Sequence, residues 1–159
     1  MIGARYLGSD EPDRHNTKAD RSIMSAAENK QLMQEIFAAL SKGNGKAFRD
    51  SLAEDFRWTL TGTTKWSKTY EGRQAVIDDL LRPLFAQFAD QYTNTAHRFI
   101  AEGDHVVVEC RGRVTTKAGK AYNNVYCWVC RVADGKLREL IEYMDTALVT
   151  TALGDPELK

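Results

Sequence analysis

The stretch "YNNVYCWVCRVADGKLRELIEYMD" (residues 122–145) decides how the chain is read, because it holds two period-two segments around the hairpin signal "DG". Alternation in the first segment puts Tyr122, Asn124, Tyr126 and Trp128 on one face. In the second it assigns Leu140, Glu142 and Met144 to one face and Leu137, Ile141 and Tyr143 to the other. Glu142 therefore has apolar neighbours. Such a carboxylate reaches solvent at a sheet edge, finds a partner, or has its pKa raised by desolvation until it exchanges protons near neutrality.

Upstream, period two continues over roughly 92–101 and 104–116, with "EGD" and "KAG" as turn signals, and the two later segments run over 121–133 and 136–148. Before residue 90 the period is helical. "SAAE" at Ser25–Glu28 is a capping-box pattern, followed by Leu32, Ile36 and Leu40 with Met33 and Phe37 until "KGNG" ends the helix. Asn44 is placed to cap a short second helix whose Phe48 and Leu52 face the core. "FRWTLTG" (56–62) is a strand candidate and "TTKWSKTYEG" (63–72) a loop. From Arg73, Val76, Leu80, Leu84 and Phe88 mark a third helix, which Pro83 should kink or end. Helix, helix, strand, helix and a four-strand meander describe an α+β domain, a long curled antiparallel sheet wrapped around about three helices.

A chain of 159 residues, 43% hydrophobic, fits one domain with one main core and room for a cavity. Lys plus Arg equals Asp plus Glu at 22 each, which gives no long-range attraction to nucleic acid or to an anionic membrane. No stretch has the length of a membrane span or a secretory h-region, so a cytoplasmic protein is expected. Residues 1–24 read as a polar extension, 25–152 as the domain and 153–159 as a tail. Cys110, Cys127 and Cys130 suit free thiols in a reducing compartment. In "CWVC" the two sulfurs point to opposite faces of a strand and cannot jointly hold a metal. "AGK" lacks the spacing of a phosphate loop, and no metal or cofactor is expected.

Element order, length and several strings resemble the nuclear transport factor 2-like superfamily, within it the SnoaL-like group. That group includes polyketide cyclases, ketosteroid isomerases, limonene epoxide hydrolases and phenazine-biosynthesis proteins. The carriers are "LAEDFRW", "YEGRQAVIDDLL", "VVVECRGRV", the stretch quoted first and "TALV", covering about residues 25–152. The resemblance implies a cone-shaped sheet closed by helices, an apolar pocket inside it and a homodimer built on the sheet's outer face. Alternation alone makes Glu109, Arg111 and Arg113 a solvated face opposite Val106, Val108 and Cys110. The resemblance instead turns these charges inward, as the epoxide hydrolase charge pattern falls on Glu109, Arg111 and Glu142, and it aligns the phenazine proteins' acid–base glutamate with Glu142. The implied catalytic set is Glu142, Arg111 and Glu109. The implied binding set is Trp58, Leu60, Arg113, Asn124, Tyr126, Trp128 and Met144. Trp66 and Tyr70 are placed to form a lid. His97 has uncertain parity, and Asp145 is read as the cap of the "TALV" turn.

The leading expectation from these residues is a cofactor-independent acid–base enzyme of isomerase, cyclase or hydratase type, acting on a small hydrophobic or aromatic carbonyl or ring compound. Two other readings compete: a non-catalytic binding module that uses the same pocket, and a dimerisation domain whose cavity is filled by Trp58, Tyr126 and Trp128.

Overall fold

Helix α1 (Ala26–Leu40) starts at the expected capping box, with the Glu28 amide donating to Ser25 Oγ at 3.3 Å and the Ser25 amide to Glu28 Oε2 at 2.8 Å. The computed structural model describes residues 23–156, so the proposed polar extension, up to residue 22, and residues 157–159 of the tail lie outside the described residues. Helix α2 (Lys46–Ser51) is capped by Gly45, one residue later than expected, while Asn44 Oδ1 accepts from the Lys46 amide at 3.0 Å. Leu52 is the first residue of a strand, though still buried.

Six strands form one open sheet in the order β2-β1-β6-β5-β4-β3. They are β1 (Leu52–Leu60), β2 (Thr69–Glu71), β3 (Thr93–Glu102), β4 (His105–Arg113), β5 (Val125–Ala133) and β6 (Lys136–Met144). β2 emerges from the segment expected to be loop. The sheet is mixed: β3 to β6 are an antiparallel meander, but β6 runs parallel to β1. The chain between β1 and β6 supplies the long crossover that a parallel pair needs. Asp134 and Gly135, both at positive φ (54° and 68°), make the two-residue turn from β5 to β6.

Two bulges set which side chains face inward. On β6, Arg131 pairs with Glu139 and Val132 with Leu137, leaving Arg138 as an extra residue. Parity therefore flips there, and Leu137, assigned by simple alternation to the face opposite Glu142, is buried with Leu140 and Glu142. On β3, Ala96 pairs with Cys110 and Arg98 with Glu109, so His97 is the extra residue. It projects to the exposed side, its Nε2 3.7 Å from Glu109 Oε2.

The third helix is built in three consecutive pieces, α (Arg73–Ala75), π (Val76–Leu81) and α (Arg82–Phe85). Pro83 neither breaks nor ends it at once, because it sits in the first turn of the last piece, behind a wide turn in which the Arg82 amide donates to Ile77 O. A fourth helix (Thr146–Ala152) closes the fold, its N-cap Asp145 accepting from the Ala147 and Leu148 amides. The core lies between the sheet and the helices. Phe37 of α1 stands 5.2 Å from Trp128 and 5.8 Å from Phe99, and Phe48 of α2 stands 5.5 Å from Trp58. Edge and tilted contacts of this kind add to the area that each ring buries.

Candidate active site

On the inner face of the sheet, Trp58 of β1, Glu142 of β6 and Trp128 of β5 come side by side, because Trp128 pairs with Glu142 and Glu142 with Leu60. The two indoles meet edge to face at 5.7 Å, yet together with Phe48 they leave a cavity of about 200 Å³ above them. The third helix contributes Leu80 and Leu84 to its wall, the turn after that helix contributes Phe88, and the C-terminal helix and the turn after it contribute Val149 and Leu153. Leu60, Tyr126 and Met144 also line it.

Glu142 is the acidic residue of this lining and is only 6% exposed. Its backbone is pinned, since its carbonyl accepts from the Thr61 amide at 3.1 Å and from Thr61 Oγ1 at 2.9 Å. Burial pushes its pKa up to about 8. The indoles of Trp58 and Trp128 pull the other way, facing the carboxyl without either N–H meeting hydrogen-bond geometry. No described cation forms an ion pair with Glu142. At neutral pH the group therefore holds its proton and can give it up, and above about 8 it can take one.

The rest of the polar lining sits toward β3 and β4. Tyr92, Tyr122 and Tyr126 bring three phenols to the cavity, each with its pKa raised by burial. The Tyr92 and Tyr126 rings pack over Gly112: a Cβ there would lie 2.7 Å from Tyr92 Oη and 3.0 Å from Tyr126 Cε2. Asn94 of β3 is buried beside them. Arg49 is the basic residue of the lining and lies exposed at the mouth.

Several sequence expectations need correction. Glu109, Arg111 and Arg113 project from the opposite face of the sheet, while Val106, Val108 and Cys110 of the same strand are buried. Inward charges would have displaced three apolar residues from the core, so plain alternation prevails over the inward turn that the resemblance implied. Glu109 pairs at that surface with Arg98 at 3.3 Å. Asn124 faces inward but does not line the cavity, because its amide is consumed. Nδ2 donates to Asp145 O at 3.1 Å and to Tyr122 Oη at 3.3 Å, and Oδ1 accepts from the Asp145 amide at 3.0 Å. Trp66 is buried in the cavity wall rather than laid over it, and its Nε1 donates to Gly154 O at 3.0 Å. Tyr70 stands behind it, donating to Trp66 O at 3.2 Å.

Tyr92, Asn94 and Arg49 escaped the reading of the sequence. "QYTNTAHRF" carries little apolar alternation, and the bulge at His97 breaks the count back from Phe99 and Ala101, which leaves the parity of Asn94 open to misreading. Among the described residues no three His, Cys, Asp or Glu side chains gather to hold a metal, and no helix is long and apolar enough to cross a membrane.

A mixed, open, curved sheet packed against helices is the architecture of nuclear transport factor 2-like proteins. The SnoaL-like domain model matches residues 33–140, and the chain belongs to that family, one of small-molecule-binding and catalytic proteins. Similar solved structures include an NTF2-like protein of unknown function from Burkholderia pseudomallei K96243, 25% identical with a TM-score of 0.68, over 81% of this chain and 98% of that one. An NTF2-like protein from Burkholderia thailandensis E264 is 24% identical with a TM-score of 0.69, over 82% and 99% of the two chains. A candidate SnoaL-like polyketide cyclase from Jannaschia sp. CCS1 is 20% identical with a TM-score of 0.67, over 83% and 95%. No curated protein matches the chain in sequence.

Proposed function

We propose that the protein is a cofactor-independent acid–base enzyme of isomerase, cyclase or hydratase type, in which Glu142 moves a proton on a mostly hydrophobic carbonyl or ring compound held in the cavity. One observation carries this reading: a carboxyl group buried in an aromatic cavity, without an ion-pair partner among the described residues, and poised near neutrality. An ion-paired structural acid in the same place would have a cation beside it. Trp58 and Trp128 offer their indole N–H groups toward the carboxylate once it forms, and the phenols across the cavity offer donors to developing negative charge on a substrate oxygen. The polyketide cyclase candidate among the structural relatives supports a ring-forming substrate class by analogy of fold alone.

Elimination of 5-nitrobenzisoxazole tests the base directly. The Glu142 carboxylate would take the ring C–H proton, the C–H pair would form the nitrile, and the N–O bond would break to release a coloured phenolate. The rate should rise with pH through an apparent pKa near 8 and fall about 100-fold or more in Glu142→Gln. Equal rates for the variant and the parent at pH 9 would remove Glu142 as the base.

The outer face of the sheet supports a homodimer. Ile100, Val107, Val129 and Ile141 stand in register across four strands, with Tyr143 and Val125 exposed nearby. The three free cysteines support a reducing, cytoplasmic setting.

A further inference from the structure

Asn94 is the one buried amide of the inner sheet face whose use the fold does not explain. It is 1% exposed, it lines the cavity, and neither Oδ1 nor Nδ2 has a hydrogen-bond partner among the described residues. Asn124, equally buried, spends its amide on three bonds. The Asn94 amide faces the Cys110 thiol, a weak partner, without reaching hydrogen-bond geometry. An unpaired buried amide costs stability, and a leucine, apolar and branched at the same atom, would avoid that cost. A bound ligand that supplies the missing partner offsets it.

The position of Asn94 says which part of a ligand it meets. It pairs with Gly112 on β4, under the Tyr92 and Tyr126 rings, whereas Glu142 lies on β6. Asn94 lies three strands across from Glu142 and four register positions along, since Glu142 pairs with Trp128, Trp128 with Val108 and Asn94 with Gly112, so the two groups meet opposite ends of a ring compound held in the one cavity both line. The walls of that cavity are largely aromatic, with Trp58, Trp128 and Phe88 among them. Within the lining the basic residue is Arg49, exposed at the mouth, so nothing inside neutralises an anionic ligand.

Resting on the reading of this cavity as the site where Glu142 meets substrate, we propose that Asn94 is a second polar anchor, hydrogen-bonding an oxygen of the ligand at the end remote from Glu142. The ligand is then a flat, uncharged ring compound with an oxygen function at each end. Asn94 both donates and accepts, so a phenol, an enol or a ketone oxygen satisfies it.

Calorimetric titration with 2-naphthol and 2,6-dihydroxynaphthalene tests the proposal, since the second compound adds one hydroxyl at the far end of the same flat frame. The intact protein should bind the diol about fivefold tighter than the naphthol. In Asn94→Leu that preference should shrink to the twofold statistical factor of a symmetric ligand, with naphthol affinity kept and thermal stability raised. Asn94→Ser, too short to reach the oxygen, should lose the preference as well and serves if the leucine variant does not fold. An undiminished preference in either variant, or no preference in the intact protein, overturns the anchor. Glu142→Gln is measured in parallel. If it eliminates 5-nitrobenzisoxazole at the parent's rate while the Asn94 variants lose the preference, the anchor stands and the role of Glu142 falls. If neither compound binds the intact protein, the cavity is no ligand site and both readings fall.

Discussion

Burial dominates the behaviour of Glu142, and it leaves a signature in stability as well as in rate. The carboxyl holds its proton in the folded chain up to about pH 8, whereas the unfolded chain releases it near 4.5. Between these values the folded state binds the extra proton, so stability falls as pH rises, by roughly 1.4 kcal/mol per pH unit, and levels off above the folded pKa. Glu142→Gln lacks this term. Urea denaturation at pH 5 and pH 8 should show the glutamine variant gaining on the parent across the interval, and parallel curves would contradict the burial of an unpaired acid. The spacing of Leu140, Glu142 and Met144 made their shared face legible and left its direction open. The outward face of Glu109, Arg111 and Arg113 was equally legible, and only the family pattern argued against it. Asn94 was not legible, because a polar residue in a polar string reveals its burial only when the neighbouring strand and helix are in place.

At the scale of elements, strands and helices follow from period and punctuation, but bulges do not. Arg138 and His97 are each one residue too many for their ladder, and nothing in "KLREL" or "TAHRF" distinguishes a bulge from continued alternation. Arg138 is held by ion pairs to Asp55 at 2.8 Å and Asp134 at 3.0 Å, partners that only the folded sheet brings to it. The join between β6 and the C-terminal helix depends on Asn124, whose amide bonds both the N–H and the C=O of Asp145. Asn124→Ala leaves those part-buried groups without their partner and should cost roughly 1–2 kcal/mol by chemical denaturation. Hydrogen exchange should speed up at the amides of Asp145, Ala147 and Leu148. A loss of global stability without faster exchange at the helix start would mean that Asn124 acts elsewhere in the fold.

At the scale of the molecule, the proposed homodimer rests on the apolar band from Ile100 to Ile141. Val129 sits at its centre, between Val107 and Ile141. Val129→Glu should shift the protein from dimer to monomer by light scattering while leaving the far-ultraviolet circular dichroism unchanged, and an unchanged mass would place any interface elsewhere. Domain class, helix order, the meander and the face that Glu142 shares with Leu140 and Met144 were already written in the chain, because periods of two and 3.6 residues record which residues of each element share a face. Hydrophobic pattern does not record which strand neighbours which, so the parallel pairing of β1 with β6 required the whole sheet. Nor does it record where a polar side chain finds or lacks a partner. That Asn124 is satisfied and Asn94 is not, and that Glu142 faces two indoles rather than an arginine, were decided by packing, since each depends on residues distant in sequence meeting across one cavity.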